Sequence, residues 1–282
     1  MNKVAIIGLG LIGGSLAKSL RSKSLFNHFI GVDSKQEHTS RALELGLVDE
    51  VMDLESAISN SDFVILAVPV NVAETMASDI LDKIGGQTLI DVGSTKNGIL
   101  EAVKYHPKRK QFVATHPMAG TEFSGPDAAI EDLFDGKAAI ICDVVNSEKE
   151  RVSQVEEIYK SIGSDVKYMA GEEHDVSAAY VSHISHLSSF ALALTVLNKE
   201  KNVENITTLA SGGFESTVRL AKSNQNTWEA IFSANKENVL EVMDDYIENM
   251  ILFKHAIKSG NTEVVKTLIR QANEVKKVLK DS

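Results

Sequence analysis

An α/β fold with a doubly wound parallel sheet, followed by an all-helical domain, is what this sequence of 282 residues predicts. Three observations carry the prediction. Short β-branched runs alternate with longer helical patterns through the first half. A glycine-rich turn follows the first of those runs. Beyond Gly171 proline disappears, and apolar residues recur at spacings of three and four.

Lys3–Ile7 reads as a strand, and Ser15–Ser22 as helix after the glycine turn. Phe29–Asp33 is a second strand, followed by a helical stretch around Glu37–Leu45. Phe63–Val68 is a nearly continuous apolar run, the pattern of a strand buried on both faces. Thr88–Val92, Phe112–Thr115 and Ala138–Asp143 repeat that pattern, and Asp165–Met169 adds a strand at the edge. All four prolines (Pro69, Pro107, Pro117, Pro126) precede Gly171. After it, Leu187, Phe190, Ala191, Leu194 and Leu197 mark one helical face. Val239, Val242, Met243, Tyr246, Met250 and Phe253 mark another. Gly212-Gly213 and Ser259-Gly260-Asn261 break the helices. The predicted division is 1–169 for the sheet domain and 170–282 for the helical one. The apolar helical faces exceed what one thin layer buries alone, so a homodimer through the helical domain is expected.

Composition narrows the function classes. At 43% hydrophobic and 24% charged residues, the chain can build a large core and is not globally disordered. The net charge of −10 and the lack of a long basic run argue against nucleic acid as a partner. A small anionic substrate would need a local Arg or Lys clamp. No apolar stretch approaches about 18 residues, so no membrane span is expected. The N-terminus enters a strand directly, without a signal-peptide core, so a cytoplasmic protein is expected. Cys142, the single cysteine, sits in an apolar run and reads as a buried strand residue. It can form neither an intrachain disulfide nor a cysteine-based zinc site.

Gly8-Leu9-Gly10-Leu11-Ile12-Gly13 follows the first strand and opens a helix. The first glycine permits the tight turn, the second lets backbone approach a pyrophosphate, and the third lets helix and strand pack closely. The helix N-terminus offers N–H groups to phosphate. Asp33 stands 20 residues after the third glycine, at the end of the second strand. Its carboxylate suits the adenosine-ribose hydroxyls and repels a 2′-phosphate, which favours NAD over NADP. Lys35 tempers that preference. Strand, glycines, helix and acid together predict a Rossmann-type NAD site. Val68-Pro69, closing the third strand, serves either as a cofactor wall or as simple strand termination.

In an open parallel sheet, ligands bind beyond the carboxyl ends of the strands. His116 stands at such an end, held by Pro117. Imidazole there can take a proton from a substrate hydroxyl as hydride leaves the adjoining carbon. Ser94, after the Thr88–Val92 strand, either orients that imidazole or caps a helix. His183 and His186 lie three apart on one helical face. That spacing also suits metal ligation, but no carboxylate or cysteine pattern accompanies it, so no metal is expected. Arg219 offers a planar fork for a carboxylate, its alternative being a surface ion pair. Trp228 reads as packing.

Together these residues resemble prephenate dehydrogenase. The resemblance spans essentially the whole chain. Its motifs are Gly8 to Leu16, Asp91-Val92-Gly93-Ser94-Thr95-Lys96, and His116-Pro117-Met118-Ala119-Gly120-Thr121-Glu122 through Gly125. Further on come Glu172-Glu173-His174-Asp175, Ser182 to Leu187, and Gly212-Gly213-Phe214 through Arg219 to Trp228. It implies a Rossmann domain followed by a helical dimerisation domain. It implies NAD-dependent oxidative decarboxylation of prephenate to 4-hydroxyphenylpyruvate, a step toward tyrosine, with an arogenate or dual-specificity (cyclohexadienyl) dehydrogenase as the alternative. By resemblance His116 assists deprotonation of the ring hydroxyl and Ser94 shares that contact. His186, with His183 nearby, and Arg219 hold the substrate carboxylates. Glu122 stands at the pocket entrance, and Lys96, Thr121 and Trp228 line or support the site. Gly8, Gly10, Leu11, Ile12, Gly13, Asp33, Val68 and Pro69 are the cofactor-side residues. Many relatives have proline where this chain has Ser185, and Arg-Asp where it has Glu215-Ser216. The acid at Glu215 lowers local positive charge and leaves arogenate open. The helical pattern runs to Ser282, so no C-terminal ACT domain is expected.

Overall fold

The computed structural model describes residues 2–201 and 206–278. Residues 202–205 and 279–282, which the sequence assigns to the helical half, lie outside the described residues. The chain divides into two compact units, Met1–Lys236 and Glu237–Ser282.

The first unit opens with β1 (Lys3–Ile7), α1 (Leu11–Ser22), β2 (His28–Val32), α2 (Gln36–Glu44), β3 (Glu50–Val51) and α3 (Leu54–Ser59). It continues with β4 (Phe63–Leu66), α4 (Val70–Lys83), β5 (Thr88–Asp91), α5 (Asn97–Val103) and β6 (Phe112–Pro117). Then come β7 (Ala138–Cys142), α6 (Lys149–Ser161), β8 (Asp165–Met169), α7 (Gly171–Ala178) and a π-helical turn over Ala179–His183. α8 (Ile184–Glu200), α9 (Gly212–Val218) and α10 (Gln225–Ala234) complete it.

One eight-stranded sheet runs in the order β3-β2-β1-β4-β5-β6-β7-β8. Strand order reverses between β1 and β4, the place where an open sheet leaves a crevice for a ligand. The period of two along each strand divides the core. Val4 and Ile6 of β1 join Leu16, Leu20, Phe63 and Tyr159 on one face. Ala5 and Ile7 join Val64, Leu66, Ile80 and Phe112 on the other. Each such aliphatic side chain contributes roughly 1.5–3 kcal/mol on burial, so the sheet is a rigid platform for the loops at its edge.

Two features differ from the sequence expectation. The sheet is not wholly parallel: β7 runs antiparallel to β6, with His116 opposite Ile140 and Pro117 opposite Ala139. That pairing extends β6 through Pro117, so His116 belongs to the strand and not to the loop after it. The two-residue β3 at the other edge was too short for an alternating pattern to reveal. Cys142 is fully buried on β7, and burial pushes its thiol up to about 12.

The second expectation concerned a membrane span. Gly171–Glu200 is, among the described residues, long and apolar enough to cross a membrane by length and composition alone, with mean hydropathy 1.3. It carries buried His174, Asp175 and His183 in its first half. Its exposed apolar residues run along its length, from Val176 and Val181 to Leu194 and Leu197. Counting uninterrupted apolar runs overlooks such a segment, because Ser, His and Asn dilute the run without making it strongly polar.

The second unit holds most of α11 (Lys236–Lys258) and α12 (Thr262–Ala272). Gly260, at φ +68°, makes the turn between them, and Asn261 caps α12 by accepting from the Val264 N–H. α11 exposes Leu240, Tyr246, Ile247, Met250, Ile251 and Leu252, a broad apolar surface.

Candidate active site

The glycine turn after β1 has the geometry its sequence requires. Gly8 takes φ +99°, and a Cβ on Gly13 would stand 1.9 Å from the Gly8 carbonyl oxygen. Neither position admits a side chain. Gly10 differs: a Cβ there meets nothing within 4 Å, so its open side is free for a ligand. No side chain caps α1, which leaves the helix N-terminus available to an anion. Asp33 bridges the turn to β2, its Oδ2 accepting from the Leu9 N–H at 2.9 Å and its Oδ1 from the Lys35 N–H at 2.9 Å. Leu11, Ile12 and Val68 are half-buried around this turn, and Pro69 is exposed at the start of α4. These residues fit a dinucleotide: an open backbone cradle, an uncapped helix and a carboxylate with acceptor capacity left over.

Beside the cradle, the ends of β5 and β6 carry a dense polar network. Asp91 is buried and ion-paired with Lys96, whose ammonium also donates to the Thr115 carbonyl at 2.6 Å. Lys96 is fully buried. It was expected to line or support the pocket, and the structure places it beneath, holding two strand ends together, because Asp91 claims its charge. Thr115 donates to the Asp91 carbonyl and receives from the buried Tyr159 hydroxyl at 2.7 Å.

His116 sits above this network, 9% exposed, with Nδ1 2.8 Å from His174 Nε2. His174 Nδ1 lies 2.8 Å from Asp175 Oδ1. Burial holds the His116 pKa well below the ordinary histidine value, reinforced by the nearby His174, Lys96 and His183. The ring is therefore neutral at pH 7. Ser94 is half-buried in the loop after β5 and is not a helix cap. The N-terminus of α5 is capped from outside, since Asp175 accepts from the N–H groups of Lys96 and Asn97 at 2.7 and 2.8 Å.

His183 closes the π turn and is buried, its pKa lowered to about 4 chiefly by desolvation. His186 lies one turn further along α8, stacked on Trp228 with ring centroids 3.5 Å apart. Burial lowers its pKa too, and its Nδ1–H donates to the Ser182 carbonyl at 3.1 Å. Trp228 also meets His183 edge-on at 6.0 Å, so it joins the two imidazoles. Arg219 follows α9 in a 3-10 turn rather than inside the helix. Its Nη1 donates to Glu122 Oε2 at 3.0 Å. The Glu122 carboxyl is held below its usual range by its own backbone N–H and by Arg219. Thr121 is half-buried beside it and accepts from the Phe123 N–H at 3.2 Å.

The structure thus links His116, His174, Asp175, the Ser94 loop and, through Asn235, His183 by hydrogen bonds, and separately links Glu122 with Arg219 and His186 with Trp228. Sequence reasoning gave no role to Asp91, His174, Asp175, Tyr159 or Asn235. The Asp91-to-Lys96 and Glu172-to-Asp175 blocks held a signal for the first three only as parts of the motifs that carry the resemblance. Nothing local marks Tyr159 or Asn235.

A dinucleotide cradle after β1 and a neutral buried imidazole at the end of β6, with two strands between them in one sheet, define an oxidoreductase of the Rossmann class. Family models identify it further. That for the nucleotide-binding domain of prephenate dehydrogenase matches residues 16–168, and that for its dimerization domain matches residues 170–272. Prephenate dehydrogenase of Bacillus subtilis is 31% identical over 264 residues, 92% of this chain and 71% of the relative. Cyclohexadienyl dehydrogenase of Zymomonas mobilis is 28% identical over 280 residues, 98% and 96% of the two chains. The crystal structure of prephenate dehydrogenase from Aquifex aeolicus in complex with hydroxyphenyl propionate and NAD+ matches with a TM-score of 0.89 at 31% identity, over 99% of each chain. The chain belongs to the prephenate dehydrogenase family.

Proposed function

We propose that this enzyme oxidatively decarboxylates prephenate to 4-hydroxyphenylpyruvate with NAD. The observation that carries the reading is His116: a neutral, buried imidazole at the end of β6, in the same sheet as the dinucleotide cradle. Bound NAD supplies the acceptor for hydride from the ring carbon that bears the hydroxyl. The chain supplies the rest. The glycine turn (Gly8, Gly10, Gly13) and the start of α1 (Leu11, Ile12) hold the pyrophosphate, Asp33 holds the adenosine ribose, and Val68 and Pro69 border the dinucleotide. His116 takes the hydroxyl proton, and Ser94 shares the contact. His183, His186 and Arg219 hold the two carboxylates, with Thr121 and Glu122 at the entrance and Lys96 beneath. Loss of the ring carboxylate as carbon dioxide makes the ring aromatic, so positioning and one base suffice.

Arogenate is the second reading. Glu215 lies in the first turn of α9, four residues before Arg219, and is exposed. An acid there suits a substrate with an ammonium group in place of the keto oxygen. NADH formation with prephenate and with arogenate, each with NAD and NADP, tests both readings. Greater catalytic efficiency on prephenate with NAD supports the first; equal or greater efficiency on arogenate overturns it.

The same reading divides the chain at 169/170 and pairs two copies through the helical half, in the cytoplasm. Its support is the dimerization-domain match together with the exposed Leu194, Leu197 and Met250. A stable monomer in sedimentation at micromolar concentration rejects the pairing.

A further inference from the structure

We propose that His174 and Asp175 fix the ring tautomer of His116, that Asn235 fixes the opposite tautomer in His183, and that Asp175 ties the two together. The proposal deepens the reading above and rests on His116 as the base. All three are positioning residues: each acts through another side chain.

The argument starts from groups with only one hydrogen-bonding role. Backbone N–H groups only donate, so the Lys96 and Asn97 amides at 2.7 and 2.8 Å make both Asp175 oxygens acceptors. Asp175 Oδ1 also lies 2.8 Å from His174 Nδ1, which must then carry the hydrogen. In this proposal the His174 ring carries this one N–H, so its Nε2 is an acceptor. It lies 2.8 Å from His116 Nδ1, so the His116 hydrogen is on Nδ1. The Nε2 of His116 is left with its lone pair, the form a base needs.

The second chain runs from the same residue. A carbonyl oxygen only accepts, so the 2.7 Å contact with the Asp175 carbonyl fixes which end of the Asn235 amide is the NH2. That NH2 lies 3.2 Å from His183 Nδ1, which must accept. His183 therefore presents Nε2–H, the form that binds an anionic or carbonyl oxygen. His174, Asp175, His183 and Asn235 are each under 5% exposed. Low exposure keeps water from offering either ring an alternative partner.

The arrangement has a consequence in the reaction. When His116 takes a proton on Nε2, its Nδ1–H already points to His174, whose own N–H points to a carboxylate. The new positive charge is met by acceptors set before the step. The groups that face it are Lys96, paired with Asp91, from the loop after β5, His174 and Asp175 from α7, and His183 from the π turn. Glu74 of α4 acts on Asp175 from further off.

Nitrogen-15 NMR of the histidine-labelled full chain, without substrate, reads which ring nitrogen is protonated. The wild-type protein is expected to show Nδ1–H at His116 and Nε2–H at His183. Asp175→Ala removes the acceptor that holds the hydrogen on His174 Nδ1, so the His174 and His116 tautomers are no longer fixed and Nε2 of His116 becomes protonated in part or in full. Its kcat is expected to fall about 10²- to 10⁴-fold, the worth of a positioned base, with KM for prephenate within about threefold. Asn235→Ala should do the reverse, raising KM with kcat nearly kept. His174→Leu removes the acceptor for His116 Nδ1 and is expected to lose kcat as Asp175→Ala does. If Asp175→Ala fails to fold, the wild-type spectrum still decides. Nε2–H at His116 in that spectrum overturns the proposal, as does an Asp175→Ala enzyme with unchanged tautomer and kcat. Retained turnover in His116→Asn would instead reject the base itself.

Discussion

His186 lies flat on Trp228, planes inclined by 24°, while its Nδ1–H is turned back onto the Ser182 carbonyl. Its Nε2 therefore carries a lone pair when the ring is neutral, and burial favours the neutral ring. A lone pair repels a carboxylate. To hold one, His186 must gain a proton as substrate binds. Affinity should then fall as pH rises from the pKa of His186 in the free enzyme to its higher pKa in the complex. We expect KM for prephenate to increase with pH across that window, and up to about one proton to be taken up per substrate bound within it. Calorimetric titration of a non-reacting analogue, in buffers of different ionisation enthalpy, measures the uptake. His186→Asn should abolish it. Equal heats across buffers for the wild-type enzyme would mean that His186 holds no carboxylate.

Arg219 and Glu122 present the complementary case. Their contact is 3.0 Å, but the Arg219 side chain is 51% exposed. Such a pair is worth about 0–1 kcal/mol, so a substrate carboxylate can displace Glu122 cheaply. Arg219→Ala should raise KM for prephenate about 10- to 100-fold, from the loss of a charge-assisted bond of about 1.5–3 kcal/mol, with kcat changed much less. Glu122→Gln removes the competitor and should leave KM equal or lower. Steady-state kinetics on both variants checks the pair. An unchanged KM in Arg219→Ala would place the anion clamp elsewhere.

The glycine turn allows binding to be separated from folding. A methyl at Gly13 would collide with the Gly8 carbonyl oxygen, whereas one at Gly10 meets nothing in the protein. Gly13→Ala should therefore lower Tm by several degrees, as expected for about 1–3 kcal/mol of strain in a domain this size. Gly10→Ala should leave Tm within about 2 °C and raise KM for NAD about tenfold or more, because only the ligand approaches that side. Thermal melting and NAD titration separate the two effects. A Gly10→Ala enzyme with ordinary NAD affinity would argue against backbone approach at that turn.

These contrasts also mark what the sequence made legible. The turn was readable because its chemistry is local: three glycines, a strand before, a helix after, and an acid at a fixed distance. His116 was readable as a histidine at a strand end, although its place inside β6 depended on antiparallel pairing with β7, 22 or more residues downstream. Lys96 was placed only by resemblance, as lining or supporting the site, because nothing nearby in sequence shows that it is buried against Asp91. Asn235 was invisible for the same reason. It reaches Asp175 across 60 positions, and a lone asparagine after a helix usually ends that helix. Local patterns encode turns and faces, whereas tautomers and buried ion pairs are set by partners the chain brings together only on folding.

Buried histidines make the fold sensitive to acid. The pKa of His183 is about 4 in the folded chain, against the ordinary value of 6.5. Between those values the unfolded chain binds the extra proton and the folded chain does not, so stability rises with pH across that window. The contribution is complete above about pH 6.5 and is lost as pH falls toward 4, amounting to roughly 3 kcal/mol for this ring. His116, also pushed down by burial, acts in the same direction. Urea unfolding at pH 7.5 and at pH 5 should therefore give a lower midpoint at pH 5. His183→Asn, which keeps an acceptor but cannot take the proton, should shrink the difference between the two midpoints even if it destabilises the protein at both. A pH dependence unchanged in that variant would show that His183 is reached by protons without unfolding.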